Sequence, residues 1–405
     1  MARLGLDFGT SNTGAAVLAA GRPYAIPLEP GAQTLPTAVF VDYAERRYLY
    51  GTAAAQAMMD GAEGRFMRAL KSILGTPLAR EPRALLNERP TLIEVIARFL
   101  AEIRRRAEAH TGLTFDAVLS GRPVRFHSAS AERDSQALTD LTEAYRLAGF
   151  DHVDFMPEPE AAARAVAGDG RMLIVDIGGG TSDFTVCDRR EGQSRFLASG
   201  GIRLGGTDFD KTLSLDHAMP LLGYGAQIGA EFGTNSLTAP RAPFHDLASW
   251  EKIPFVYDGA LLREVRRWIR LAPQPHLFER LADVLESHLG HDIAYAVEAG
   301  KIAANSFEAG DIALDVIERG LSATLPRAAL TAALQGHADK IASCAQETLK
   351  AAGCRPESVD MVVFVGGSSL LTAVRDSMAG VVPDARPVDS DVFTAVVHGL
   401  AIAAE

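Results

Sequence analysis

The hydrophobic pattern of the chain contains the same unit twice, once near the N-terminus and once in the middle. An apolar strand (residues 4–7 and 172–176) ends in Asp7 or Asp176, and a second apolar strand (13–18 and 183–187) follows it. A glycine turn with a hydroxyl residue joins the two strands in each case. Because strand-turn-strand patterns of this kind form hairpins, the repeat predicts two similar lobes.

The composition of the two turns favours phosphate binding. Glycine allows successive backbone N–H groups to approach phosphate oxygens closely, and hydroxyl groups add further donors. An aspartate at the end of a strand can hold Mg²⁺ through its waters, because Mg²⁺ keeps several waters and takes few carboxylates. Two such hairpins predict two lobes that close on a phosphate chain.

The rest of the pattern alternates between helices and short strands, with a glycine turn at Gly168 and Gly170 as the expected lobe boundary. Residues 51–110 are expected to be largely helical, and spacing of apolar residues by three and four predicts an amphipathic helix at 91–110. The continuous apolar run 361–365 is typical of a buried parallel strand. Further helices are predicted at 130–148, 327–352 and about 391–404, and further strands at 37–41, 47–50, 117–120, 153–156, 195–200 and 312–317.

Composition limits the possible functions. The chain has 405 residues, 47% hydrophobic and 22% charged, which suits two lobes rather than one simple core. Its net charge of -11 gives no general attraction to nucleic acid or anionic membrane. Three scattered cysteines are too few for a disulfide framework, and no signal peptide or membrane span is expected. A cytoplasmic protein is therefore predicted.

Ordered motifs make the chain resemble the superfamily of actin, sugar kinases and heat-shock-70-kDa chaperones. The two hairpins are followed by a Gly-Gly-Ser turn at 366–369, in the superfamily order. Three segments resemble the chaperone branch in particular: the lysine segment 65–75, the Pro-Glu-Pro-Glu-Ala-Ala-Ala segment 157–163 and the Leu-Gly-Gly-Thr-Asp-Phe-Asp segment 204–210. The helix at 297–301 resembles the adenosine-contacting Glu-x-x-Lys helix of that family. Short bacterial members of that family, of the YegD-like type, resemble this chain.

The resemblance implies an α/β protein with the actin-like ATPase fold. Each lobe would have a mixed β-sheet of the duplicated ribonuclease-H-like type flanked by helices, with the nucleotide in the central cleft. Lobe I would span 1–168, with its core at 1–36 and 115–168 and an outer subdomain at about 37–114. Lobe II would span 169–390, with its core at 169–212 and 311–390 and an outer subdomain at about 213–310. A helix at 391–405 would pack back on lobe I, and no peptide-binding domain is expected.

The resemblance also implies ATP or ADP and Mg²⁺ as ligands, with water attacking the γ-phosphate. Lys71, Glu158 and Asp176 would be the catalytic residues, and Asp7 and Asp183 would hold Mg²⁺ through water. The residues expected to bind the nucleotide are Gly9, Thr10, Ser11, Asn12, Gly178, Gly179, Gly180, Thr181, Gly205, Gly206, Glu298, Lys301, Asn305, Gly366, Gly367 and Ser368. The family's adenine-sandwiching arginines are replaced here by Ile302 and Leu370, which predicts an altered purine pocket.

Several interpretations compete at this stage. The first is a chaperone-like ATP-dependent switch acting through a partner protein, whose identity the sequence does not specify. The second is a small-molecule kinase, the third an actin-like filament protein, and the fourth a nucleotide-binding scaffold with negligible turnover. At single residues, Glu158 suits a helix N-terminus as well as catalysis, and Glu298 and Lys301 have the spacing of a helix-surface ion pair.

Overall fold

The structure is a computed structural model that describes residues 2–230, 236–389 and 394–404. Its described residues form two compact units. The large unit comprises Met1–Gly206 and Ala338–Glu405, and the small unit comprises Thr207–His337. The predicted division into lobes near Gly170 lies inside the large unit and stays a prediction.

The strands, in chain order, are β1 (Ala2–Phe8), β2 (Asn12–Ala19), β3 (Arg22–Ala25), β4 (Thr34–Pro36), β5 (Ala38–Asp42), β6 (Arg47–Tyr50), β7 (Gly64–Arg68), β8 (Phe115–Arg122), β9 (His152–Pro157), β10 (Gly170–Ile177), β11 (Ser182–Arg190), β12 (Gln193–Ile202), β13 (Gln227–Gly229), β14 (Ser236–Thr238), β15 (Ala309–Ala313), β16 (Ser322–Pro326), β17 (Met361–Val365) and β18 (Arg386–Asp389).

The α-helices are α1 (Thr52–Met59), α2 (Pro77–Arg80), α3 (Leu92–Thr111), α4 (Ala131–Leu147), α5 (Glu158–Ala165), α6 (Gly206–Leu213), α7 (Ala242–Leu247), α8 (Gly259–Leu271), α9 (Pro275–Glu286), α10 (Gly290–Ser306), α11 (Arg327–Ala351), α12 (Thr372–Val381) and α13 (Ala395–Ala403). Short 3₁₀ turns occur at Leu70–Ile73, Met219–Leu222, Ile253–Phe255, Pro356–Ser358 and Gly367–Leu370, and one π-helical turn at Ser214–Ala218.

Two sheets of the large unit have the same topology. The first has the order β3-β2-β1-β8-β9, with β4 beside β2, and the second has the order β12-β11-β10-β17-β18. In both, the central strand pairs antiparallel with the next strand along the chain and parallel with a later one. The repeated hairpin of the sequence therefore lies at the same place in two mixed sheets, as the ribonuclease-H-like duplication predicts.

Hydrophobic burial explains why these segments form these elements. All five residues of β17 are buried, because the strand lies between β10 and β18. Helix α3 buries its apolar face, begins with a capping box between Thr91 and Glu94, and ends at Gly112 in the left-handed region. The helix predicted at 91–110 is thus confirmed to within one residue at each end.

Helix α13 packs on β1, β2 and α5 in the large unit. Its close approach depends on glycine, because a Cβ on Gly5 would lie 2.8 Å from the backbone nitrogen of Ala401. Val397 and Ala401 form a small buried cluster with Ala16 of β2. The first residues of the predicted C-terminal helix, 391–393, lie outside the described residues.

The structure corrects two predictions of secondary structure in part. Most of the region 51–110 is helical, through α1, α2 and α3, but Gly64–Arg68 within it forms strand β7, paired antiparallel with β5. The strand expected at 312–317 is instead Ala309–Ala313, paired with β16. In both places pairing with another strand outweighs the local pattern of apolar residues.

Candidate functional site

The two glycine turns lie against each other inside the large unit. A Cβ on Gly180 would lie 2.9 Å from the Oγ1 atom of Thr10, and a Cβ on Gly179 would collide with the side chain of Ser11. Thr10 is buried, whereas Asn12 at the start of β2 is exposed. The structure therefore brings the hydroxyls of the first turn to the backbone of the second, as a shared phosphate cradle requires.

Two further glycine turns pack behind the second hairpin. The N–H of Gly206 donates to the carbonyl oxygen of Gly178 at 3.0 Å, and a Cβ on Gly205 would lie 2.7 Å from the backbone of Gly179. A Cβ on Gly206 would meet the Oγ atom of Ser368 at 2.5 Å. Residues of the 205–206 and 366–368 turns thus pack against the second hairpin, and their contact with a nucleotide stays a prediction.

A buried ion pair lies in the same unit. The Lys71 ammonium donates to the Glu158 Oε1 atom at 2.6 Å, and both side chains are buried. Lys71 stands in the 3₁₀ turn that follows Ala69, which has a φ of 58°. Glu158 is the first residue of α5, directly after Pro157, so that its carboxylate lies at a helix N-terminus as predicted. The ion pair with Lys71 and the helix N-terminus both favour a fixed, negatively charged Glu158.

Three aspartates share this buried environment, and burial together with neighbouring carboxylates raises the pKa of each. Burial and the charge of Glu158 raise the pKa of Asp7 to about 7 and that of Asp183 to about 8. Burial, Glu158 and the other aspartates also raise the pKa of Asp176 well above its usual value. Burial alone would lower the pKa of Lys71, but Glu158 and Asp7 raise it overall. One lysine therefore faces four carboxyl groups.

This excess of carboxylates fits a divalent cation. No group of three His, Cys, Asp or Glu side chains among the described residues could hold a metal ion directly. Binding through water does not require such a group, because Mg²⁺ keeps most of its waters. Asp183 also accepts the N–H of Val124 at 2.7 Å, which fixes its carboxylate at the end of the second hairpin. The donor set is thus suited to a hydrated Mg²⁺ ion.

The predicted nucleoside-side residues on α10 belong to the small unit. Lys301 is buried and its ammonium donates to Asp210 at 2.6 Å, while the Trp250 indole N–H donates to the other oxygen of Asp210 at 3.1 Å. Their spacing in the helix suggested Glu298 as a partner of Lys301, and the structure gives Lys301 the buried partner Asp210. The approach of Glu298, Lys301 and Asn305 to a nucleotide stays a prediction, as does the altered purine pocket, although Ile302 and Leu370 are both exposed.

Sequence reasoning missed several residues that the structure places at the site. Ser72, next to the lysine, has its Oγ atom 3.2 Å from the position of a Cβ on Gly180. Gly121 lies beneath the ion pair, since its Cβ would be 3.1 Å from the Glu158 Cγ atom. Arg203 donates to the carbonyl oxygen of Ser72 at 2.7 Å. Its position as the only charge in the turn 201–206 was a usable signal.

The comparison with protein-family models agrees with this geometry. A model described as Hsp70 protein matches residues 3–228, which include both hairpins, the lysine segment and the Leu-Gly-Gly segment. The chain belongs to the Hsp70 family. Its fold is the actin-like ATPase fold, with the two mixed sheets of the large unit as its duplicated core.

Family membership makes the chain a chaperone-like ATP-binding protein. The predicted family and fold class are therefore confirmed. None of the helices in the part of the chain that the structure describes combines the length and apolar character needed to cross a membrane.

Proposed function

We propose that this chain hydrolyses ATP in the presence of Mg²⁺ and that the nucleotide state drives the opening and closing of two lobes that act through a partner protein. The observation that carries the proposal is the buried Lys71–Glu158 pair beside two converging glycine turns. A site that only held phosphate would need the cradle but not a buried acid next to the lysine. The pair supplies the groups that direct water.

In the proposed reaction, the oxygen of a water molecule bonds to the γ-phosphorus while the bond to the β,γ-bridging oxygen breaks. Lys71 would orient this water and offset negative charge on the γ-phosphate. Glu158 or Asp176 would accept the proton that the water loses, and burial raises the pKa of Asp176 well above its usual value, which makes its carboxylate a stronger base. The products are ADP and inorganic phosphate.

The remaining residues of the large unit would bind and position the nucleotide. Backbone N–H groups and hydroxyls of the two turns would hold the phosphates. Asp7 and Asp183 would hold Mg²⁺ through water, and the bound ion would neutralise charge on the phosphate oxygens. The proposed phosphate-binding residues are Gly9, Thr10, Ser11, Asn12, Gly178, Gly179, Gly180, Thr181, Gly205 and Gly206.

The nucleoside-side assignment rests on the family resemblance. Glu298, Lys301 and Asn305 on α10, together with the turn at 366–368, would contact the ribose and base. Because Ile302 and Leu370 replace the arginines expected beside the adenine, the stacking of a guanidinium on the base would be lost. We expect weaker discrimination between purines than a pair of arginines would provide.

The partner is proposed to bind the outer part of the second lobe, about residues 213–310. Most of this segment lies beyond residue 228, where the family match ends. Removing the segment 238–243, which runs from the end of β14 to the start of α7, should leave ATP affinity unchanged and abolish capture of the partner, and loss of both would contradict the assignment. Three cysteines without a disulfide suit a reducing cytoplasm.

The reaction class is tested by following the γ-phosphate of labelled ATP in the purified chain with Mg²⁺. We expect inorganic phosphate as the labelled product, in the same amount with or without added metabolites. A labelled metabolite in place of inorganic phosphate would instead indicate the small-molecule kinase. Bound ATP that stays intact would indicate the scaffold, and nucleotide-dependent sedimentation would indicate a filament.

A further inference from the structure

The 3₁₀ turn that carries Lys71 is attached to the large unit at both ends. On its N-terminal side lies strand β7, which pairs with β5. On its C-terminal side, the carbonyl oxygen of Leu74 accepts the Nε2–H of His127 at 2.7 Å. Because His127 belongs to the segment that leads into α4, the chain after the turn lies against the start of that helix.

Gly75 brings the same stretch of chain onto helix α4 itself. It is buried and has a φ of 74°, in the left-handed region that favours glycine. A Cβ at this position would collide with the carbonyl oxygen of Arg133, in the first turn of α4. The N–H of Gly75 donates to the Oδ2 atom of Asp140 at 2.9 Å. One carboxylate on α4 therefore holds the backbone just after the lysine turn.

Asp140 is wholly buried, and its second oxygen has partners of its own. The Oδ1 atom accepts from the Arg80 Nη2 atom and from the Gln136 Nε2 atom, each at 2.7 Å. The Arg80 side chain is 47% exposed and also pairs with Glu143 at 2.8 Å. An arginine so exposed gains little from an ion pair, because water solvates its charge. The buried N–H of Gly75 has more to lose, since a buried donor without an acceptor costs the full desolvation of the group.

The position of the Lys71 ammonium depends on this attachment. Lys71 reaches the Glu158 Oε1 atom at 2.6 Å from a turn of only four residues, Leu70–Ile73. Gly75 follows the end of this turn by two residues, so that a displacement of Gly75 from α4 moves the turn as well. Displacing a reacting group by about 1 Å can slow a reaction about a hundredfold. The attachment of Gly75 therefore affects the chemistry that the lysine performs.

We propose that Asp140 is a positioning residue for ATP hydrolysis: by holding Gly75 on α4, it keeps the Lys71 ammonium where it orients the attacking water. The proposal rests on the proposed function, because it adds a residue to the same reaction. Asp140 acts through the backbone of residues 71–75 and through Lys71. Its removal should free the lysine from its pair with Glu158 without altering the two glycine turns that bind phosphate.

The test compares the full-length wild-type chain with Asp140→Ala and Asp140→Asn. Glu143→Gln is the matched control, because Glu143 lies on the same helix and pairs with the same arginine, and the substitution removes the same charge. In the first arm, acetylation of Lys71 by acetic anhydride without nucleotide is followed by mass spectrometry. Lys71 is the only lysine among residues 1–206, which identifies its peptide. In the second arm, ATP affinity and single-turnover hydrolysis are measured with Mg²⁺.

Asp140→Ala should raise the acetylation rate of Lys71 about tenfold or more, because a hydrogen bond to a charged acceptor contributes at least that factor. It should slow single-turnover hydrolysis about tenfold or more and leave ATP affinity within about twofold. Asp140→Asn keeps a neutral acceptor, which binds an N–H less strongly, so we expect about three- to tenfold in both readouts. The control should stay within about twofold of the wild type. Amide exchange of β17 should not change, which shows that the large unit stays folded.

The proposal is overturned if Asp140→Ala leaves either the acetylation rate or the hydrolysis rate within about twofold of the wild type, even if its melting temperature falls. Such a result would show that Asp140 serves stability alone. If Asp140→Ala does not fold, or exchanges faster in β17, Asp140→Asn decides by the same threshold. A wild-type chain that binds ATP without hydrolysing it would refute the proposed ATPase. The acetylation rates would then decide whether Asp140 positions Lys71, because they do not depend on turnover.

Discussion

The two partners of the buried Lys71–Glu158 pair should have very different effects on stability. In an isolated buried pair, removing either partner leaves an uncompensated charge and costs about 3–5 kcal/mol. Here one lysine faces Glu158 and three buried aspartates, so that the two substitutions are not equivalent. Lys71→Met removes the cation of the cluster, whereas Glu158→Gln removes one of four acids.

The magnitude follows from the geometry. At a separation of 2.6 Å and an effective dielectric constant of about 20, the attraction is about 6 kcal/mol before desolvation is subtracted. We expect Lys71→Met to lower the free energy of unfolding by about 3–5 kcal/mol. Glu158→Gln keeps a hydrogen-bond acceptor for the lysine and relieves repulsion of Asp7 and Asp183, so we expect a change within about 1 kcal/mol.

The assay is urea denaturation of the three proteins at pH 7.5, without nucleotide or metal, monitored by circular dichroism. A double variant with both substitutions should recover most of the stability lost in Lys71→Met, because one buried acid is removed together with the cation. Equal losses for the two single variants would refute the reasoning. That result would mean that the pair acts alone and that the neighbouring aspartates do not feel its charge.

Three other substitutions test separate parts of the account. Gly205→Ala should lower nucleotide affinity and cost about 1–3 kcal/mol of stability, because its Cβ would lie 2.7 Å from backbone atoms. The control Gly380→Ala, with nothing within 4 Å of its Cβ, should have neither effect. Equal effects of the two substitutions in a thermal-shift titration with ATP would contradict the packing at Gly205. Lys301→Met should lower the free energy of unfolding in urea by about 3–5 kcal/mol, and adding Asp210→Asn should restore most of it, because the pair is buried. A loss below about 1 kcal/mol, as for an exposed pair, would contradict this assignment. Burial lowers the pKa of His127, whose Nε2–H donates to a backbone carbonyl, so the contribution of neutral His127 to stability is lost as the pH falls below about 6.5. His127→Gln should therefore make the melting temperature less sensitive to acid. An unchanged sensitivity would contradict this role of His127.

The sequence was sufficient for the parts of the fold that local signals define. The repeated hairpin predicted two similar lobes, and the spacing of apolar residues predicted α3 to within one residue at each end. Strand β7 was missed because its residues alternate poorly, and its pairing with β5 depends on a partner more than twenty residues away. Long-range pairing of this kind has no local signature.

The candidate site was predictable in its residue types and less so in its contacts. The two glycine turns indicated the phosphate cradle. The family-like segments 65–75 and 157–163 indicated Lys71 and Glu158. The role of Lys301 was not predictable from its helix, because its buried partner Asp210 lies 91 residues earlier in the chain. Arg203 was missed although its charge within the turn 201–206 was a usable signal, and its contact with Ser72 becomes visible only when the two segments are folded together.

The most direct test of the central claim is single-turnover hydrolysis of ATP by the wild-type chain and by Glu158→Gln, each with Mg²⁺ or with EDTA. Water-directed chemistry predicts that the wild type forms ADP and phosphate only with Mg²⁺. It also predicts that Glu158→Gln binds ATP normally and slows the chemical step about a hundredfold or more, as loss of a general base does. Equal single-turnover rates for the two proteins would contradict the claim that the buried pair directs water at the γ-phosphate.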